Sequence, residues 1–548
     1  METAPSIRTG TAPPRPVPEE QAAAARARGL PERVAALLDP ATYPHPAADI
    51  ELVETHISWV VLAGSYAYKM KKPVDFGFLD FRTLAQREHD CAEEVRLNRR
   101  LCRGLYRGVE HLVERGGVYR IGGPGRLVEP LVWMRRLPAE GMLPHLLRRF
   151  RADAALMRRL ARRLSAFHAR AATGPGVDEH GSPEVVAHNW RENFEQMAPF
   201  VGRTTTPATN EAIRAYVDRF LAAQGALLAR RVARGRIRDG HGDLHAGSVC
   251  LDGHRLYLFD CLEFNARFRC ADVASEVSFL AMDLDRHGRA DLGAAFVDGY
   301  VGASGDRELL DLLDFYRCYR AYVRGKVLSF RLAEPELPAS EASAIAVEAS
   351  GYFDLAASYA DRSRQPQLIV VMGLPASGKT TLAAAIAGRL GAVHISSDVV
   401  RKTAAGIAPT TPRTAAFGAG LYTAAARHRT YDAMRASAAR WLRRGKTVVL
   451  DATFGDPAER RRVQRLAGRL GMPLAFLACQ AAEPVLVARL RARRAGPSVS
   501  DARLENWPAL RDAYQPPREI VDVVAIDTQV GPATAVEAAM RALGRRPG

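Results

Sequence analysis

Several features are missing from this chain of 548 residues. No apolar run approaches the roughly 20 residues of a helical membrane span, and residues 1–20 lack the apolar core of a secretory signal. The seven cysteines form an odd set with no C-x-x-C pair and no zinc-type spacing. That pattern argues against a disulfide framework or a structural zinc, and for thiols in a reducing compartment. A cytoplasmic protein with no membrane partner is the expectation. No internal repeat is evident. The net charge is +17, yet the arginines are spread along the whole chain, as on the solvated helix face Arg158, Arg159, Arg162 and Arg163. No basic–aromatic interleaving or nucleic-acid module accompanies them, so nucleic acid is the minor expectation and a small molecule the major one.

With 47% hydrophobic and 25% charged residues the chain can bury a large core. Residues 1–27 are rich in Pro, Ala and Arg and read as a disordered tail. Residues 28–335 form a first domain. In it a hairpin is expected at 57–62 and 66–71 around Gly64-Ser65, helices at 88–101, 152–170 and 210–234, and a β-rich patch at 237–260. Residues 336–365 read as a helical connection and linker, and 366–548 as a second domain. That second domain alternates strand candidates at 368–372, 393–396, 447–450, 474–478 and 521–526 with helices, which implies a parallel sheet. A helix start is expected with Asp456 as N-cap, Pro457 at N1 and Glu459 closing a capping box.

The second domain carries the most specific motif. Gly373-Leu374-Pro375-Ala376-Ser377-Gly378-Lys379-Thr380 follows the apolar run 368–372 and opens an alanine-rich helical stretch, with Thr381 next in line. Glycines at this spacing let backbone N–H groups curl around phosphate oxygens at a helix start. Lys379 then reaches the terminal phosphates and the Thr380 hydroxyl is placed to ligate magnesium. ATP with Mg2+ is the implied cofactor pair. Two acids close predicted strands. Asp451 stands at a Walker-B-like position as a magnesium holder, and Asp398 is placed to orient or deprotonate an acceptor hydroxyl that Arg401 clamps. An alternative role for Asp398 is a helix N-cap. Arg489 and Arg493, in an arginine-rich run leading into Ala495-Gly496-Pro497-Ser498, suit a lid over the phosphates. From 367 to about 542 these residues resemble the small P-loop kinases that include gluconate kinase, polynucleotide kinase and zeta-toxin-like proteins. The resemblance implies an α/β P-loop NTPase fold and a kinase rather than a motor.

In the first domain, Asp239-Gly240-His241-Gly242-Asp243-Leu244-His245 precedes Arg255-Leu256-Tyr257-Leu258-Phe259-Asp260. Two acids thus sit on a loop and at a strand end, and this resembles phosphotransferases of the eukaryotic-like kinase fold, where one such acid accepts the hydroxyl proton and the other holds magnesium. This stretch resembles the aminoglycoside phosphotransferase family, also called choline-kinase-like. The resemblance implies an α+β protein-kinase-like fold with Asp243 catalytic, Asp260 on the metal, His241 bracing the loop and Asp272 structural. It also implies that Lys69 pairs the α- and β-phosphates, with Lys71 as fallback, and that Glu94, or Glu93, is the lysine's partner. Residues 129–134 would be the adenine hinge, and 160–168 the helix preceding the catalytic loop.

Three departures stand out. Ser248 occupies the place of a second magnesium-binding asparagine, no G-x-G-x-x-G loop precedes Lys69, and residues 72–87 form an insertion whose aromatics read as core. Together the two halves resemble a bacterial architecture called bifunctional aminoglycoside phosphotransferase/ATP-binding. It implies two ATP·Mg sites, each transferring a γ-phosphoryl group to a small hydroxylated acceptor. The alternatives are an ATP-binding regulatory protein with a catalytically weak first domain, and a polynucleotide or nucleoside kinase acting through the second.

Overall fold

The computed structural model describes residues 29–75, 77, 79–333, 337–361, 366–411, 420–492 and 499–544. The 1–27 tail, the aromatics Phe76 and Phe78 and the lid arginine Arg493 lie outside the described residues. Chain compactness separates two units, one formed by residues 1–138 with 252–269, the other by 139–251 with 270–548. The expected first domain is thus divided after Pro138, and its larger part joins the P-loop domain in a single unit.

The first unit is built on a six-stranded antiparallel sheet in the order β1-β2-β3-β6-β4-β5. Its strands are β1 (Glu51–Glu54), β2 (Ser58–Ala63), β3 (Tyr66–Lys71), β4 (Tyr106–Arg115), β5 (Val118–Ile121) and β6 (Arg126–Arg135). The expected hairpin is present as β2 and β3, and Gly64 takes a positive φ of 58° in its turn. β3 alternates with period two. Tyr68 and Met70 face a core with Trp59, Val61, Leu112 and Leu131. Lys69 and Lys71 face the other way, where the helix Leu84–Asn98 packs on β6 and β4. Thr83 and Gln86 start that helix with a reciprocal capping box. In the insertion, Phe81 is fully buried against Phe264.

Residues 129–134 do not form a hinge. They run through the middle of β6, where Leu131 to Met134 pair with both β3 and β4 and Glu129 and Pro130 with β4 alone, and Glu129 is buried on Arg87. A strand paired on both sides has no backbone groups left for adenine.

The second unit begins with helices Leu143–Arg148, Ala154–His168, Pro183–Met197 and Pro207–Ala233. The third of these has no counterpart in the sequence reading, and with the fourth it separates residues 160–168 from the loop they were expected to precede. β7 (Ile237–Asp239) pairs antiparallel with β10 (Cys270–Asp272), and β8 (Val249–Asp252) follows the intervening loop; β9 (Arg255–Leu258), also within the β-rich patch, belongs to the first unit. Helices Val273–Arg286, Ala290–Ser304, Leu309–Arg331 and Ala339–Ala360 follow.

The P-loop part is a five-stranded, all-parallel sheet in the order β12-β13-β11-β14-β15. Its strands are β11 (Leu368–Met372), β12 (Val393–Ser396), β13 (Val448–Asp451), β14 (Leu474–Gln480) and β15 (Val523–Asp527), within one or two residues of expectation. Helices cover both faces, so β11 is buried throughout. Leu368, Val370 and Met372 enter one core, with Ile395, Met434 and Phe476. Ile369 and Val371 enter the other, with Leu382, Ile386 and Val536. Asp456 caps the helix Pro457–Leu470 through the Ala458 amide. Glu459 does not close a capping box; its buried carboxylate is held by His428, Arg435 and Arg462.

The P-loop part is not tethered by a free spacer. The helix Ala339–Ala360 packs on Leu309–Arg331 and on the P-loop helix Lys379–Leu390. Arg389 bonds Asp354 at 3.0 Å, Tyr359 donates to Asp285 at 2.7 Å, and the His394 amide donates to the Gly288 carbonyl at 3.4 Å. Ala290 lies inside a P-loop-domain core. Backbone approaches backbone here because Gly388 has no side chain; a Cβ would stand 2.3 Å from the Arg286 carbonyl oxygen. Gly388→Ala should therefore destabilise by about 1–3 kcal/mol, reversing the gain of about 1 kcal/mol that alanine brings to a helix interior. Urea denaturation of the full chain checks the sign.

Candidate active sites

The P-loop takes its shape from three residues in the left-handed region: Gly373 (φ 146°), Ala376 (64°) and Gly378 (82°). A Cβ at Gly373 would lie 2.7 Å from the Cys479 carbonyl oxygen, so only glycine fits beside β14. Gly378 leads directly into the helix Lys379–Leu390, whose first amides, including those of Lys379, Thr380 and Thr381, have no intrahelical acceptor. Lys379 curls back to the Leu374 carbonyl at 3.3 Å, and the Ser377 hydroxyl is buried without a partner. Pro375 is buried in the turn of the loop. Arg489 reaches the loop from its own helix, donating to the Ala376 carbonyl at 3.3 Å and to the Thr528 carbonyl at 2.7 Å.

Asp451 lies at the same sheet edge, in register with Val371 on one side and Ser396 on the other. It is 1% exposed, and neither carboxylate oxygen has a hydrogen bond. His394 Nε2, itself without a partner, stands 3.5 Å away. Burial pushes this carboxyl up, but His394, Lys379 and Thr380 outweigh it and hold the group below the ordinary aspartate value. An ionised buried carboxylate with two uncommitted oxygens beside the P-loop threonine suits a divalent cation, so the residues fit magnesium.

Asp398 is not an N-cap. It is the second residue of the helix Ser397–Ala404, after Ser396, and its Oδ1 lies 2.5 Å from Arg401 Nη1. The Arg401 guanidinium stacks over Tyr422 at 4.8 Å. Lys402 points elsewhere; it is buried on Asp501 and on the Pro409 and Val499 carbonyls.

In the first unit, Lys69 and Lys71 reach the same buried carboxylate. Lys69 Nζ bonds Glu94 Oε1 at 2.9 Å and Lys71 Nζ bonds Oε2 at 2.8 Å. Lys69 also holds Asp260 at 2.7 Å, and Lys71 also holds Glu263. Burial lowers the Lys69 pKa, but Asp260, Glu94 and Glu263 outweigh it and keep the ammonium charged. Glu93, the other partner considered, pairs with Arg96 at the surface. Asp260 adopts a positive φ of 64°, a strained setting for a residue with a side chain. The turn is fixed from both sides, since the Asp260 amide donates to Tyr106 Oη and the Cys261 amide to Asn98 Oδ1.

The loop that follows β7 is braced by acids of the helix Val273–Arg286. Glu276 Oε2 accepts from the His241 and Gly242 amides at 2.7 and 3.2 Å, while its Oε1 meets His168 at 3.0 Å. Asp283 accepts from the Ala246 amide at 2.8 Å, Arg320 donates to the Gly242 carbonyl at 3.0 Å, and His241 Nδ1 accepts from the Asp243 amide. Asp243 is left presented, with its side chain 41% exposed and 3.6 Å from His245 Nε2. Asp272 is structural: it caps its helix and grips Arg231 at 2.6 and 2.7 Å. Ser248 is not presented as a metal ligand. It is buried, its oxygen accepts from the His245 amide, and its hydroxyl faces the Asp243 and His245 carbonyls, so it serves the loop itself.

Over 472 residues the chain is 35% identical to the uncharacterized protein Rv2004c of Mycobacterium tuberculosis, covering 86% of this chain and 92% of that protein. The chain belongs to the family of that protein. Mb2027c of Mycobacterium bovis, also uncharacterized, matches to the same extent. Residues 368–517 match a family described as an AAA domain, AAA_33. Among solved structures, a gluconokinase of Sinorhizobium meliloti is 26% identical and covers 33% of this chain and 94% of its own, at a TM-score of 0.26. A choline/ethanolamine kinase family protein of Mesorhizobium loti is 12% identical and covers 60% and 97%, at a TM-score of 0.37. This member of the family of Rv2004c thus carries, after an α+β part with an antiparallel sheet, a P-loop domain that implies nucleotide binding.

Four residues that the sequence reading passed over belong to these sites. Glu276 and Asp283 are seven residues apart and so share a helix face, a spacing visible beforehand. Glu263 follows Asp260 by three residues. His394 carried no signal, because its place beside Asp451 depends on which strands pair. Glu276 also generates a pH prediction. Burial raises its carboxyl, but His168, His241 and the Gly242 amide outweigh it and leave the pKa at about 2 against an ordinary 4.5. The stabilisation, roughly 3 kcal/mol at 1.36 kcal/mol per unit, is complete above pH 4.5 and is lost as pH falls through 2. Denaturant melts across that window should show wild type losing stability towards acid and Glu276→Gln starting lower with a flatter profile.

Proposed function

We propose that the protein is an ATP-dependent phosphotransferase with two nucleotide sites, each passing the γ-phosphoryl group to a small hydroxylated acceptor. The observation that carries this reading is the buried, uncommitted and ionised Asp451 behind the P-loop threonine, since a charge so placed is costly unless a cation answers it. Magnesium bound by Thr380 and Asp451 would neutralise charge on the phosphate oxygens.

The chain's own residues then have separate tasks in the P-loop domain. The loop amides and Lys379 orient the triphosphate, and Arg489 adds positive charge at the rim. Asp398 takes the acceptor proton as the acceptor oxygen bonds to Pγ, and the bond from Pγ to the β–γ bridging oxygen breaks to release ADP. Arg401, released from Asp398 by an anionic acceptor, clamps that acceptor. In the first unit Lys69, held by Glu94, would pair the α- and β-phosphates and Asp260 would hold the metal; in the second, Asp243 would accept the hydroxyl proton. This is the chemistry that the resemblance to aminoglycoside phosphotransferases implies, in a cytoplasmic enzyme.

One observation favours a second reading. The Ser248 hydroxyl is spent inside its loop, which supports a kinase-like part that binds ATP and regulates without turning it over. ATP consumption by three proteins separates the two. If both sites are active, Lys379→Ala removes one share of acceptor-stimulated turnover, Asp243→Ala removes the other, and the double variant consumes none. Unchanged turnover in Asp243→Ala together with complete loss in Lys379→Ala would establish the regulatory reading instead. For a polynucleotide kinase, oligonucleotide binding that weakens steeply with salt is the expected result.

A further inference from the structure

The helix Leu309–Arg331 touches the catalytic loop through Arg320, whose Nη1 lies 3.0 Å from the Gly242 carbonyl, next to Asp243. Arg324 stands one turn further along the same face. Its guanidinium leans on the Tyr352 ring at 5.8 Å, and its Nε is buried without a hydrogen-bond partner. Arg286 packs on the same ring at 5.1 Å. Among the described residues no carboxylate pairs with either guanidinium within 4 Å. Asp283 is close enough to be felt by Arg324, but its Oδ2 is committed to the Ala246 amide. Arg148 and His245 add to the same neighbourhood through their influence on His287. Near the exposed Asp243, therefore, lies the Arg324 guanidinium, with no carboxylate in contact and only the longer-range charge of Asp283 and Asp243 on it, and Arg286 shares the Tyr352 ring with it. An unanswered, partly desolvated guanidinium is the recognition group for carboxylate or phosphate oxygens.

We infer that the acceptor phosphorylated at Asp243 is an anion, a small hydroxylated carboxylate or phosphate ester whose charged end is held by Arg324 and Arg286. The inference rests on the phosphotransferase reading of the kinase-like part. In the step, the acceptor oxygen bonds to Pγ, its proton passes to the Asp243 carboxylate, and the bond from Pγ to the β–γ bridging oxygen breaks, leaving its electron pair on ADP. Polycationic acceptors would be repelled by the same two groups.

The test uses the full chain carrying Lys379→Ala, so that the P-loop site is silent, with γ-labelled ATP. Four acceptor arms are offered: glycerate and gluconate, glycerol 3-phosphate and glucose 6-phosphate, glycerol and glucitol, and choline and kanamycin. Label should enter one of the first two arms, which also tells carboxylate from phosphate recognition. Adding Arg324→Gln should raise the acceptor KM about ten- to hundredfold with the KM for ATP nearly unchanged, and Arg324→Lys should recover part of the loss. Arg286→Gln should give the same pattern, which keeps the test decisive if the Arg324 variant fails to fold. Label in the neutral or cationic arm, or a rise in the ATP KM equal to that of the acceptor, would overturn the inference while leaving the phosphotransferase reading intact. No label in any arm, with ATP turnover insensitive to Asp243→Ala, would overturn both.

Discussion

A loop such as the one after β7, which belongs to neither sheet nor regular helix, leaves its amides without regular partners, and in this protein buried carboxylates take them. The helix Val273–Arg286 supplies nearly all of these groups. Glu276 receives two loop amides and is charge-balanced by His168; Asp283 receives a third. Asp272 caps the helix and ties it to Arg231, and Asp285 at the far end accepts from Tyr359. A buried carboxylate is tolerable only when every acceptor site finds a donor or a cation, so the helix and the loop constrain each other. Asp243 escapes this network and stays open to solvent for that reason.

The two halves of the chain gather positive charge by different means. In the P-loop domain the positive potential comes from backbone: left-handed glycines turn amides inward and a helix start faces the phosphates. In the kinase-like part it comes from two lysines on alternate positions of β3, both held by Glu94. Glu94 is shared between the two ammonium groups, and Asp260 and Glu263 add a second carboxylate to each.

Much of this was legible in the sequence. The P-loop strands could be placed because parallel strands buried on both faces read as short apolar runs bounded by turns, as β11 does. The Lys69–Glu94 pair and Asp272 followed from family resemblance and local spacing. What remained hidden depended on strand order or on distant packing. Residues 129–134 resemble a hinge, but they pair with β4 and, from Leu131 on, with β3, and nothing local announces that pairing. Ser248 reads as a ligand by position, yet the loop claims its hydroxyl first. His394 and Asp451 are more than fifty residues apart and meet only because β12 and β13 are neighbours. The connecting helix was recognised as a helix, whereas its packing against both halves was not, since an alanine-rich face gives no sign of how many partners it has.

That packing has a consequence for how such a chain can change over generations. Fused domains joined by a spacer can be exchanged as modules, because each keeps its own surface. Here Ala290 is a core residue of the P-loop domain, Gly288 supplies a carbonyl to the strand beside Asp451, and Gly388 is small so that Arg286 can approach. Recombination between 361 and 366 would separate those residues from the surfaces they complete. The halves are inheritable only as a pair, and a substitution at the end of the helix Val273–Arg286 is felt in both.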